Sequence, residues 1–143
     1  MALIFDAKVA LFEALKARVP AYTQCTFADT GKADRRSQVW LGETTDEDLE
    51  PVAMRAGPRK PTSVSGYVEA HALTISPGGP IVAERAVYEL RDCIADACMS
   101  IDRASIPGLL DVRPESASVD SAETTDGAYS ALTVRVRVRG RVT

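Results

Sequence analysis

Four arginines at alternate positions, Arg135, Arg137, Arg139 and Arg141, are the side chains of this sequence best placed to do chemistry together. Leu132, Val134, Val136 and Val138 occupy the positions between and before them. Successive residues of a β-strand point to opposite sides of the sheet, so this stretch predicts a strand with one apolar face and one guanidinium face. Neighbouring guanidinium groups would then sit roughly 7 Å apart. Guanidinium is the group of choice for binding carboxylate or phosphate, and a row of like charges destabilises a sheet unless something opposes it. Three readings are open: solvation or pairing with carboxylates of the same sheet, contact with another subunit, and contact with nucleic-acid phosphates. For the second reading the counter-charge is the acidic run Glu43, Asp46, Glu47, Asp48 and Glu50.

The remaining reactive side chains make a thin case for catalysis. His71 is the only histidine, and its nearest acid, Glu69, is its same-face neighbour on a strand, so a sheet-face or rim position is expected. Cys93 and Cys98, five apart on a helix, fit neither a Cys-x-x-Cys pair nor a zinc knuckle, and both are expected as buried small apolar residues. Thr30-Gly31-Lys32 ends like a phosphate loop but lacks the earlier glycine and continues with Ala33 instead of Ser or Thr. Gly78-Gly79-Pro80 reads as a strand-to-helix turn in preference to an anion cradle. No catalytic, cofactor-binding or metal-ligating residue is assigned, and the chain reads as a non-enzyme.

These side chains need elements to hold them. Phe5 to Val19 predicts a helix, with Phe5, Val9, Phe12, Leu15 and Val19 as its core stripe and Pro20 as its stop. Lys8 falls within the apolar arc, with its stem buried and its amine extended to water. Strands are expected near Thr23–Ala28 and Gln38–Gly42, followed by a long loop over about 43–62 that holds Pro51, Gly57, Pro58 and Pro61. Ser63 to Ile75 predicts a long strand with Val64, Val68, Ala70 and Ala72 on one side. The clearest helix follows, where Ala83, Val87, Leu90, Ile94, Ala97 and Ile101 make a narrow core seam. Tyr88, Ala95 and Met99 lie on its charged side and hint at a protein contact. After Pro107-Gly108 come a short apolar piece at Leu109–Val112, a strand around Ala117–Glu123, a turn at Asp126-Gly127 and the arginine strand. The order predicts a single α+β domain over residues 1–143, a mixed and mostly antiparallel sheet with two helices on one face.

The bulk numbers set the frame. A chain of 143 residues can bury a core without disulfide or metal staples. Its net charge of −3 argues against a dedicated nucleic-acid binder. Three cysteines form no disulfide framework, no stretch approaches a membrane span, and the N-terminus does not read as a signal peptide, so synthesis in the cytoplasm is expected. Arginine outnumbers lysine 13 to 4 and asparagine is absent. A GC-rich coding bias produces the same preference, so the alternation of the last strand is the signal, and the choice of arginine is not.

Taken together, the phrases resemble a known family. They are Lys8-Val9-Ala10-Leu11-Phe12-Glu13-Ala14-Leu15 in the first helix, Val39-Trp40-Leu41-Gly42-Glu43 before the long loop, the strand ending at Ile75, Ala83-Glu84-Arg85-Ala86, and Thr125-Asp126-Gly127 ahead of Leu132-Thr133-Val134-Arg135-Val136-Arg137-Val138. Over nearly its whole length the chain resembles the tail terminator proteins of long-tailed, non-contractile bacteriophages, of the type found in actinobacterial phages. The resemblance implies a virion protein that forms a six-membered ring on the head-proximal end of the tail tube. There it would stop tube polymerisation and meet the head-tail connector, with genomic DNA passing through the lumen. The implied partners are further copies of itself, the tail tube protein and the connector or neck protein, with no membrane and no cofactor. A neck or head-tail adaptor of the same virion is the nearest alternative, and a small basic-stripe nucleic-acid-binding module a more distant one. Head-to-tail contacts close a ring only if a subunit carries two different complementary surfaces. The expected interface residues are Arg135, Arg137, Arg139, Arg141, Glu43, Asp46, Glu47, Asp48, Glu50, Tyr88 and Met99.

Overall fold

The computed structural model describes residues 3–31, 36–47, 62–125 and 127–142. Its elements run α1 (Leu3–Arg18), β1 (Gln24–Thr26), β2 (Ser37–Asp46), β3 (Thr62–Ser76), α2 (Pro80–Ser100), a 3-10 turn (Arg103–Ser105), β4 (Leu109–Thr124) and β5 (Gly127–Val142). The strands form one sheet in the order β1-β2-β3-β5-β4. Only β1 and β2 pair in parallel; the other three pairings are antiparallel. This is the expected α+β architecture.

Alternation builds the core. Leu132, Val134, Val136 and Val138 of β5, Val68, Ala70 and Ala72 of β3, and Val39 and Leu41 of β2 meet Val87, Leu90, Ile94 and Ala97 of α2 and Leu11 and Leu15 of α1 in one buried cluster. Both helices therefore cover the same face of the sheet. Burying such side chains stabilises the fold by about 1.5–3 kcal/mol apiece. Gly79, at a φ of 103°, turns the chain out of β3, and Pro80 opens α2 where its missing N–H is not needed. The Gly78-Gly79-Pro80 turn is thus a strand-to-helix connection. Gly140 interrupts the apolar row of β5 because Leu3 of α1 rests against it; a Cβ there would overlap Leu3 Cδ2 and stand 2.8 Å from the Gly108 carbonyl oxygen.

Three expectations are corrected. In α1 the buried residues are Leu3, Ile4, Ala7, Leu11 and Leu15, whereas Phe5 is 55% exposed and Val9 is also exposed. The helix carries two apolar stripes, and the aliphatic one faces the sheet. The long loop does not begin at Glu43: a bulge between Leu41 and Thr44 lets β2 continue, with Thr44, Thr45 and Asp46 paired to Val68, Tyr67 and Gly66. Nor does it extend to residue 62, which already lies in β3. Finally, the apolar piece at Leu109 and the strand at Ala117 are one 16-residue strand. It is an edge strand, where Pro114 removes no necessary ladder hydrogen bond, and a bulge between Pro114 and Ser116 absorbs the irregularity.

Candidate functional site

The sheet face opposite the helices carries the arginines, and most of what opposes them comes from the same sheet. Odd-numbered residues of β5 point to this face, while the even-numbered valines point to the core. Register sets Arg137 beside Tyr67 of β3 and Arg113 of β4, and Arg139 beside Asp111 of β4. Arg139 donates through Nε (3.2 Å) and Nη2 to Asp111 Oδ2, and Arg113 Nε lies 3.7 Å from the same oxygen. Arg137 Nη1 donates to the Tyr67 hydroxyl at 2.6 Å and to Glu115 Oε1 at 3.4 Å. The guanidinium of Arg135 lies 3.6 Å from the centroid of the Tyr67 ring. A cation over a ring face is held by the ring quadrupole, worth about 0.5–2 kcal/mol as water is excluded. Among the described residues, Arg135 and Arg141 form no ion pair.

His71 belongs to this face as well. Its ring stacks on Trp40, with centroids 5.5 Å apart and planes at 25°. Nδ1 is 3.1 Å from Thr133 Oγ1, and Nε2 is 3.4 Å from Glu69 Oε2. Both ring nitrogens face protein partners and one ring face is covered by indole. Gly42 makes room for this packing, since a Cβ there would come within 2.5 Å of His71 Nε2. Among the described residues no group of three or more His, Cys, Asp or Glu side chains is placed to hold a metal ion.

The predicted acidic counter-charge is divided. Glu43 and Asp46 lie exposed on β2, while Glu47 is tied to β3 by its N–H to the Ser65 carbonyl (3.0 Å) and by the Ser65 hydroxyl to its carboxylate (3.2 Å). Asp48 and Glu50 lie outside the described residues. Among the described residues the carboxylate partners of the arginine strand are Asp111 and Glu115, which the sequence reading did not single out. They lie in the acid-and-arginine run Asp111-Val112-Arg113-Pro114-Glu115, which begins in the apolar piece and ends before the strand expected from sequence.

On α2, Met99 is 82% exposed and Tyr88 is partly so, with Arg91 stacked 4.8 Å from the Tyr88 centroid. Ala95 between them is half-buried. Cys98 is buried, and its thiol is pushed up to about 12 by that burial. Cys93 is only half-buried, a departure from the expected burial, and its thiol is also raised, first by desolvation and then by Asp96, Asp92 and Glu89.

The surface missed entirely by sequence reasoning is on α1. Phe27, just after β1, takes Phe5 edge-on at 6.5 Å and Phe12 edge-on at 5.6 Å. Lys8 does not extend to water: its amine donates to the Gly42 carbonyl at 2.8 Å and lies 5.0 Å from the Phe27 centroid. Burial lowers its pKa from the usual lysine value. Lys16 sits 5.3 Å from the Phe12 centroid. The result is an exposed aromatic patch fringed with positive charge.

No protein-family model and no curated protein matches this sequence. In three dimensions the chain is similar to a chain of a solved virion of a native gene transfer agent particle, with a TM-score of 0.57 at 16% identity over 94% of each chain. At that identity the likeness is one of fold. No helix among the described residues is long and apolar enough to cross a membrane.

Proposed function

We propose that this protein is a structural subunit of a phage-type virion, and more narrowly its tail terminator. In this reading it forms a ring on the head-proximal end of the tail tube, ends tube polymerisation and joins the tail to the head-tail connector, with genomic DNA passing through the lumen. The observation that carries the virion reading is the fold likeness to a chain of a gene transfer agent virion, which spans 94% of both chains. The narrower assignment rests on the sequence resemblance to tail terminators.

The geometry is suited to such work. A ring subunit functions through its surfaces, and this one has an open sheet face whose charges are half neutralised from within. Arg137 and Arg139 already answer to Glu115 and Asp111, which fixes their positions. Arg135 and Arg141 remain for the exposed acids of a neighbouring copy, Glu43 and Asp46.

Co-expression with the tail tube subunit of the same virion tests the reading. With the protein present, tubes are expected to stop at a uniform length and carry a ring at one end. Tubes of unchanged length distribution, with no ring, would remove it.

A further inference from the structure

β2 outruns the strand that flanks it. Parallel pairing with β1 covers Gln38, Val39 and Trp40 and then stops. Beyond it Glu43, Thr44, Thr45 and Asp46 are all exposed, and among the described residues no strand lies beside them on that side. Carried two residues further, the same register would set Ala28 beside Gly42. The chain turns away instead, with the Thr26 hydroxyl donating to the Ala28 carbonyl at 2.8 Å. An open edge of this kind presents unpaired backbone groups to any extended chain.

The place that β1 vacates is filled by one side chain of α1. The bulge leaves Gly42 and Glu43 without a register partner on β3, and Lys8 Nζ donates to the Gly42 carbonyl at 2.8 Å. The ammonium is held in position by aromatic rings. It lies 5.0 Å from the centroid of Phe27, which Phe5 and Phe12 grip edge-on, one from the helix turn before Lys8 and one from the turn after it. Exposed Phe5 thus has a task outside the core: it helps to mount the ring on which Lys8 rests. The opposite edge of the sheet, β4, has devices of its own, a bulge, Pro114 and the exposed charges of Arg113 and Glu115.

We infer that Lys8 is an edge guard: its ammonium occupies the β2 edge where β1 stops and prevents another chain from adding a strand there. A strand pairing along Leu41–Asp46 has to displace the ammonium from the Gly42 carbonyl and leave it desolvated against the Phe27 ring without an acceptor. Methionine, of similar length and uncharged, carries no such penalty. Lys8 acts in this way on the free subunit, before any ring forms, so its role stands or falls apart from the tail-terminator assignment.

Lys8→Met and Lys8→Arg test the guard in the full chain at about 1 M sodium chloride, where screening over roughly 3 Å weakens contacts between charged surfaces and leaves backbone pairing intact. Sedimentation from dilute to concentrated protein reads association, and hydrogen exchange with mass spectrometry reads peptides over residues 41–47. Wild type and Lys8→Arg, which keeps a donor, are expected to show exchange over 41–47 that does not change with concentration. Lys8→Met is expected to keep its circular dichroism spectrum, to form dimers or larger species as concentration rises, and to slow its exchange over 41–47 by about tenfold as it does so. A folded Lys8→Met that sediments as wild type does at every concentration overturns the guard, as does association that leaves exchange over 41–47 unchanged; Lys8 is then a stabilising contact alone. If Lys8→Met loses its fold, Phe27→Leu, which frees the ammonium from its ring and keeps the donor, is read in the same way: weaker association through 41–47 is expected, and none overturns the guard.

Discussion

The guanidinium of Arg135 lies 3.6 Å from the ring centroid of Tyr67, a side chain only 8% exposed although it sits on the face of the sheet opposite α1 and α2. Tyr67 is buried by arginines. Arg135 takes its ring face and Arg137 its hydroxyl, at 2.6 Å, so one tyrosine opposes two charges that would otherwise repel across 7 Å or so of strand. The arginine row is part of how the sheet is held together, as well as a surface.

Replacing Tyr67 separates the two contacts. Tyr67→Phe keeps the ring under Arg135 and loses the hydroxyl acceptor, and is expected to cost about 1 kcal/mol in chemical denaturation. Tyr67→Ala loses both and leaves Arg135 and Arg137 facing each other, with an expected cost of about 3 kcal/mol or more. By contrast, Arg139→Gln removes a half-exposed ion pair with Asp111 and should cost less than about 1 kcal/mol.

Cys98 gives the fold a pH signature. Its thiol is raised to about 12 when folded, against an ordinary value of 9.0, because burial penalises the thiolate. Below pH 9 both states hold the proton and the group contributes no slope. Between about pH 9 and 12 the unfolded chain loses the proton while the folded one keeps it, so stability falls as pH rises. Denaturation of the protein against Cys98→Ala should show a difference in slope on the order of 1.4 kcal/mol per pH unit in that window, and none at pH 7.

Arg135 and Arg141 are the members of the row without a carboxylate among the described residues. The double variant Arg135→Gln, Arg141→Gln should keep its circular dichroism spectrum and lose a small part of its stability, chiefly the Arg135 contact with Tyr67. Sedimentation of mixtures with tail tubes should show weaker association, with a reduced dependence on salt. Unchanged association at low and high salt would assign the arginines to sheet stability alone.

How far the sequence reaches is seen in particular elements. The alternation of β5 and the seam of α2 were legible because one face of each is buried along its whole length, so period alone identifies that face. In α1 period could not decide: Leu3, Ala7, Leu11 and Leu15 step through the helix as regularly as Phe5, Val9 and Phe12, and only the sheet beneath selects between them. β4 was legible only in two pieces, Leu109–Val112 and Ala117–Glu123, because an edge strand buries little and tolerates a proline between them. The carboxylates that answer the arginines were missed for the same reason, since Asp111 and Glu115 become partners only through the β4–β5 register. The bulge in β2 concealed a strand behind a glycine and an acidic run.

The most direct measurement is a cryo-electron microscopy reconstruction of the tail from particles that contain this protein, into which the α+β fold can be placed. The account predicts a single ring of copies at the head-proximal end of the tube, each with its sheet continuous in orientation with its neighbour. Finding the fold repeated along the length of the tube, confined to the neck above the tail, or absent from the particle would contradict it.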